Sequence, residues 1–365
     1  MGNKMILSFL SGILFSLGAL YLAFKNIPFT QLIDYLVTID YVWTIPAIVI
    51  IVVAFILRVV RWRIILSASH RLEFMQAFHP LMIGFMLNCV LPARLGEIAR
   101  PVIIRKKHAI PFSTGITTVA AERLFDMLFM VFFLSIILAT VPIDPEFSYA
   151  YKSYVLNKST LQALGRSMVG VVGVIVTIIL LIIVDRTREL ILALIRKLPQ
   201  WFGKPDGPYR RSVQKYVSTP MEKLVLNVSA GFSLTKNPVK LAMCVGLTLS
   251  IWGLQILSYY VFALGCPGVH LSYVELSVIM IIICFFIALP SVPGFWGLWE
   301  AGGIFAMMLF GVSGKEAGGF TLANHAIQII PVIVIGVVSA FVSSVNIFSL
   351  RQDTYRLDDP MNQKH

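Results

Sequence analysis

The feature that most constrains this chain is a series of apolar runs near bilayer-spanning length, at about 5–24, 41–60, 77–92, 113–141, 167–184, 238–264, 272–289, 295–311 and 319–348. A helix needs about 20 apolar residues to cross a membrane. Charged residues make up 13% of the 365-residue chain and hydrophobic ones 58%, against about 25% charged in a soluble domain. Most of the chain must therefore sit in lipid. The expected fold is all-α: a polytopic membrane helix bundle.

Two regions do not read as ordinary spans. The run 77–92 ends in Leu91-Pro92, followed by Arg94, Gly96, Glu97 and Arg100; the run 272–289 ends in Leu289-Pro290, followed by Pro293-Gly294 and a second apolar stretch. Proline lacks a backbone donor and clashes with the preceding turn, so each site breaks its helix. If both are hairpins that enter and leave on one side, six full spans remain: 5–24, 41–60, 113–141, 167–184, 238–264 and 319–348. With both termini inside, 24 of the 30 Lys and Arg residues fall on the cytoplasmic side and five outside. That is a strong positive-inside bias. It points to the cell membrane, and it makes the two hairpins enter from opposite faces, as in an inverted repeat. Matched interruptions in oppositely oriented halves point to a transporter site. One transmembrane domain is expected over 1–350, with halves at about 1–166 and 167–350, and then a short polar tail at 351–365.

The net charge of +12 would suggest nucleic acid in a soluble protein. Here the basic residues cluster at the ends of apolar runs, so topology and anionic headgroups account for them and no nucleic-acid partner is expected. The four cysteines, Cys89, Cys244, Cys266 and Cys284, form no CxxC or Cys/His pattern, so neither a disulfide framework nor a metal site is expected. The first apolar run, Met5–Phe24, lacks a small-residue cleavage site and reads as a span. Over 185–237, Leu190, Ile191, Leu194, Ile195 and Leu198 recur at helical spacing beside Arg196 and Lys197. Two readings fit this segment: amphipathic helices on an anionic leaflet, or a cytoplasmic loop packed on the bundle.

Charges inside apolar helices cost about 2.5–3.5 kcal/mol each, so those present need a reason. Glu122-Arg123-x-x-Asp126 sets Arg123 and Asp126 at i,i+3, either as a self-neutralised structural cluster or as part of a transport path. Beside the first break, Arg94 and Arg100 bring guanidinium forks next to a bent backbone, a combination suited to a phosphate oxyanion. The alternative is that they anchor topology from the headgroup layer, the reading preferred for Arg61 and Arg63. The second break offers Ser291, Gly294, Gly297, Trp296, Trp299 and Glu300. Asn88 and Asn324 lie in or near apolar runs where they can line the same cavity; His325 either titrates there or, as is more common, is a satisfied structural histidine. The candidate headgroup-binding set is Asn88, Arg94, Gly96, Glu97, Arg100, Gly294, Gly297 and Glu300, with Glu97 and Glu300 gating or exchanging protons. No catalytic residue and no cofactor are expected.

Taken in order, Asn88-x-x-Leu91-Pro92-x-Arg94-x-Gly96-Glu97-x-x-Arg100, Glu122-Arg123-x-x-Asp126 and Pro290-x-x-Pro293-Gly294-x-x-Gly297-x-x-Glu300 resemble the lysylphosphatidylglycerol synthase transmembrane-region family, from about residue 5 to 348. The resemblance implies a flippase-like bundle with re-entrant elements that moves lipid between leaflets. Its partners would be membrane lipids, either anionic phospholipid or polyprenyl-phosphate-linked lipid, and it allows a homo-oligomer. In two-domain relatives a separate soluble domain aminoacylates phosphatidylglycerol. About seventeen residues follow Phe348 here, so that activity is not expected. Two other functions fit the motifs: a membrane-embedded transferase on a lipid-linked substrate, and a secondary transporter of a small anion. Against the transferase stands the lack of HExxH, of a Gly-rich nucleotide loop and of a Ser/His/Asp grouping.

Overall fold

The computed structural model describes residues 27–91, 94–140, 184–202, 207–231, 237–289 and 292–345, a strand pair at 148–151 and 154–157, and parts of 14–25 and 167–182. Pro92, Pro290 and Ser291, the polar tail, and most of the expected spans 5–24 and 167–184 lie outside the described residues. Those described form an essentially all-helical membrane protein. In order they give α1 (Phe29–Thr38), α2 (Thr44–Leu66), α3 (Phe74–Val90), α4 (Gly96–His108), α5 (Phe112–Thr140), an antiparallel pair β1 (Ser148–Tyr151) and β2 (Tyr154–Asn157), α6 (Asp185–Lys197), α7 (Pro208–Val213), α8 (Thr219–Gly231), α9 (Pro238–Ala263), α10 (Tyr273–Ile287), α11 (Leu298–Met308) and α12 (Gly314–Val342). The strand pair was not expected from the sequence, where this stretch reads only as an outside loop.

Among the described residues, three helical stretches, Tyr41–Leu66, Pro238–Ala263 and Gly314–Val342, are long and apolar enough to cross a bilayer. At about 1.5 Å per residue each exceeds the roughly 30 Å hydrocarbon core. Phe74–Val90 and Tyr273–Ile287 are apolar but shorter, at about 26 and 23 Å. The long helices carry outward apolar faces: Ile45, Val49 and Val53 on α2, Val239, Met243 and Leu249 on α9, and Ile330, Val334 and Phe341 on α12 are all exposed. Such faces are stable only when lipid covers them.

The chain divides into two compact units. One comprises residues up to Arg63, His70–Ile116 and Leu247 onward; the other comprises Ile64–Ser69 and Thr117–Gly246. In the first, α12 is the spine. Gly336 lies where an added Cβ would come 2.3 Å from Met86 Cβ and 2.9 Å from Met82 O of α3, and Phe320 packs on Phe262 of α9 with ring centroids 5.4 Å apart. An apolar cluster of Ile83, Met86, Leu87, Ala99, Val102, Ile103 and Ala340 ties α3, α4 and α12 together. Helix α10 starts on a capping box, with Glu275 Oε2 accepting from the Ser272 amide at 2.7 Å.

Helices α3 and α4 cross almost backbone to backbone. A Cβ on Gly96 would fall 1.8 Å from the Gly84 carbonyl oxygen, and one on Gly84 would fall 2.5 Å from Arg100 Cγ. Gly96→Ala is therefore expected to lower stability by about 1–3 kcal/mol, the range for forced overpacking. A thermal melt in detergent reads this out, and an unchanged midpoint would contradict the packing.

In the second unit, Ile65, Ala121, Phe125 and Cys244 form one buried cluster, and Ile182, Leu192, Ile195 and Val225 form another. Helix α6 pairs with α8 through Arg196 Nε and Glu222 Oε1 at 2.8 Å. Of its expected apolar stripe, Ile195 is buried, whereas Leu190 and Leu194 remain exposed. The stripe is thus split between packing and an open face.

Candidate functional site

The two interruptions meet within the first unit. Arg94, in the first turn, has a left-handed backbone with φ +53°. Its Nη2 donates to the Ile287 carbonyl oxygen at the end of α10, at 2.9 Å, and its guanidinium lies 5.9 Å from the Phe295 ring centroid. A Cβ added to Gly294 would come 3.2 Å from the Cys89 carbonyl oxygen. Arg94 is exposed, so part of its donor fork remains open beyond this crosslink.

Each turn is held by side chains close to it. In the first, Asn88 Oδ1 accepts from the Gly96 amide at 2.9 Å, capping the start of α4. In the second, Gly294 and Gly297 have φ of +73° and +88°, a region that glycine alone enters at little cost. Glu300 Oε2 accepts from the Gly297 amide at 2.7 Å. His325, from α12, lies with Nδ1 2.6 Å from Glu300 Oε1 and Nε2 2.8 Å from the Gly294 carbonyl oxygen. Both Glu300 and His325 are fully buried. Trp299 stacks on the imidazole at 4.5 Å with an interplanar angle of 1°, and Trp296 lies 4.4 Å away, tilted.

The chemistry of this latch follows from its partners. A carbonyl only accepts, so His325 Nε2 carries a hydrogen. The Nδ1–Oε1 contact then holds a single proton, on the ring as imidazolium facing carboxylate, or on the acid facing neutral imidazole. The pair is neutral overall in either form, which lets it sit in an apolar interior without a net buried charge.

Next to the turns lie three buried arginines. Arg100 is 2% exposed and Arg61 0%. Arg100 lies 5.2 Å from the Trp62 ring centroid and 5.4 Å from that of Phe85. Arg58 lies 5.7 Å from Phe85, sharing that ring with Arg100, and 5.6 Å from Trp252. Arg61 Nη1 donates to Thr248 Oγ1 of α9 at 2.9 Å. Ring faces stabilise cations most where water is excluded.

This corrects the expectation that Arg61 anchors topology from the headgroup layer, because a snorkelling head would reach water and this one does not. Arg63 is half-buried and donates to the Leu72 carbonyl oxygen at 3.0 Å. Arg58 belongs to the same buried group, although it stands outside the motifs. The signal was there in the spacing: Arg58, Arg61 and Trp62 stand at i, i+3 and i+4, on one helical face.

The other predicted residues divide. Glu97 is half-buried in the first turn of α4. Glu122, Arg123 and Asp126 belong to the second unit. There Arg123 Nη2 lies 3.7 Å from Asp126 Oδ2 and 3.9 Å from Glu122 Oε1, giving the i,i+3 pair that the spacing predicts. Both carboxylates are buried. A separate polar cleft of about 830 Å³ lies between α1 and the start of α12, lined by Asp34, Tyr35, Lys315 and Glu316 among others, and none of the predicted site residues line it.

Long helices with outward apolar faces, two of the shorter ones ending at the paired turns, make this a multi-pass membrane helix bundle. A family model described as "Lysylphosphatidylglycerol synthase TM region" matches residues 9–336, and the chain belongs to that family of flippase-like transmembrane domains. The matched model is the transmembrane region, not the aminoacyl-transferring domain. A relative described as glycosyltransferase AglD, from Haloferax volcanii, is 32% identical over 119 residues, which is 32% of this chain and 19% of that protein. The match thus spans about a fifth of the relative's length. No solved structure matches this chain.

Proposed function

We propose that this protein carries an anionic, phosphate-bearing lipid between leaflets, with the headgroup held at the buried arginines beside the paired turns. The observation that carries this reading is the Arg58–Arg61–Arg100 group. Buried guanidinium groups are costly among apolar helices. Such charges pair within the protein and also mark substrate paths, and a fixed fork suits phosphate better than a point charge. Arg94 extends the group to the exposed edge and would receive the phosphate first. Glu97, at the start of α4, would orient an arginine or exchange a proton. Asn88, Gly96, Gly294, Gly297 and Glu300 would serve the headgroup indirectly, by fixing the two turns.

In this reading α3–α4 and α10–α11 are the two hairpins. They enter from opposite faces of a cytoplasmic membrane, as an inverted repeat between six full spans, with both termini inside. The support is the charge bias together with the shortness of α3 and α10. The relative's name, a glycosyltransferase, makes a lipid-linked sugar a candidate cargo alongside phospholipid.

Native mass spectrometry of gently purified protein tests the reading, comparing wild type with Arg94→Ala and Arg100→Met. The expected result is a specific phosphate lipid on the wild type, weakened in Arg94→Ala and lost in Arg100→Met, and accelerated flipping of that lipid in liposomes. Bulk lipid alone, unchanged by either substitution, would overturn it.

A further inference from the structure

The stripe of α12 that faces the interior is polar: Thr321, Asn324, His325 and Gln328 are all buried. Three of these satisfy their polar atoms within the protein. Thr321 Oγ1 donates to Met307 Sδ at 3.7 Å, and His325 is held by Glu300 and Gly294. Gln328 Nε2 donates to Ser258 Oγ at 3.0 Å, and Gln328 Oε1 accepts from Gln255. Asn324 is the exception. It is 1% exposed, yet among the described residues neither Oδ1 nor Nδ2 has a hydrogen-bond partner. Trp299, stacked on the neighbouring His325, likewise has a buried Nε1 without a partner. An unmet buried polar group costs about 1–3 kcal/mol, so an amide with both ends unmet marks a place for a polar guest.

The chemistry of the amide narrows the guest. A phosphate oxygen only accepts and would leave Oδ1 unmet; an ammonium only donates and would leave Nδ2 unmet. A hydroxyl does both. Position narrows it further. Helix α12 runs antiparallel to α9, with Gln328 on Gln255 and Ser258, and Phe320 on Phe262. Asn324 stands one turn from each of these contacts, between Phe320 and Gln328 along α12. Trp252, which carries Arg58, lies six to ten residues before Ser258 and Phe262 on α9, about 9–15 Å along its axis.

We infer that Asn324 binds the hydroxyl-rich end of a glycosylated lipid phosphate whose phosphate sits on Arg58, Arg61 and Arg100. The inference rests on the phosphate-lipid reading above and narrows its substrate class. A glycerol headgroup is too short to touch both places, whereas a short saccharide on the phosphate spans them. Gln255, Ser258 and Gln328, hydrogen-bonded to one another, supply the polar groups along α9 between the two ends.

The test is competition binding by native mass spectrometry with two matched pairs: polyprenyl phosphate against polyprenyl-phosphate hexose, and phosphatidic acid against its glycosylated counterpart. Wild type is expected to favour the glycosylated member about tenfold, and the pair showing it names the lipid tail. Asn324→Leu removes the amide at similar size and should bind both members at the affinity of the bare phosphate. Asn324→Ala should do the same, should the leucine not fit. Retention of the preference in both variants, or its absence in wild type, would overturn the inference and leave the amide to a structural water. Arg100→Met separates the two readings. If it weakens every lipid while Asn324→Leu changes nothing, only the saccharide inference falls; if it weakens none, the phosphate site falls first.

Discussion

His325→Leu is expected to destabilise the protein by about 3–5 kcal/mol, the cost of leaving one member of a buried pair alone. Glu300 would keep its bond to the Gly297 amide but lose the partner that shares its proton. The Gly294 carbonyl oxygen would lose its donor too. Glu300→Gln should behave differently. Its amide can donate to His325 Nδ1 while its carbonyl accepts from Gly297, so both bonds of the latch survive and the fold stays near wild-type stability. The glutamine cannot take up or release a proton, however. Melting the two variants side by side in detergent checks the assignment, and equal midpoints for His325→Leu and wild type would refute it.

The same residues show what a sequence can and cannot tell. The interruptions were legible because proline and glycine act locally: Leu289-Pro290 and Pro293-Gly294 end one helix and delay the next whatever surrounds them. The Arg123–Asp126 pair was legible for the same reason, since i,i+3 neighbours meet on any helix. Glu300 stood out as an acid in an apolar run, but its partner is 25 residues away on another helix. No spacing rule joins an acid on α11 to an imidazole on α12, so the sequence offers His325 as a titrating or a structurally satisfied histidine without naming its partner. The meeting of Arg94 with Ile287 and Phe295 spans 193 residues in the case of the hydrogen bond and was equally hidden.

Arg58 and Arg61 failed for a different reason. A cation near the end of an apolar run usually snorkels to the headgroups, and that habit is the better guess without tertiary information. The structure overrides it because Phe85 and Trp252 flank the Arg58 guanidinium and Arg61 donates to Thr248 inside the protein. The strand pair at 148–157 had no strong signal either. Its register, Ser148 opposite Asn157 to Tyr151 opposite Tyr154, leaves strands of four residues, too short for alternation to stand out.

Arg100→Met is expected to leave the fold intact and to lower affinity for a phosphate lipid by roughly ten- to a hundredfold, the worth of a hydrogen bond to a charged group at 1.5–3 kcal/mol. Folding survives because methionine is unbranched and flexible enough to keep the packing of the arginine stem on Gly84, where Arg100 Cγ and Cδ lie close. The aromatic faces of Trp62 and Phe85 also accept a thioether. Arg100 has further partners within the protein, and removing one member of a buried pair is costly, so the melting midpoint is expected to fall somewhat, and binding is compared below it. Arg100→Lys completes the test. Lysine keeps the charge but loses the planar fork, so its affinity should lie between wild type and Arg100→Met if two-pronged phosphate recognition is the role. Should the methionine variant melt far below wild type, Arg100 is there to hold α3 against α4. If it folds and binds phosphate lipids as before, the headgroup lies elsewhere, and the buried charge would have to be explained by the protein's own conformational cycle.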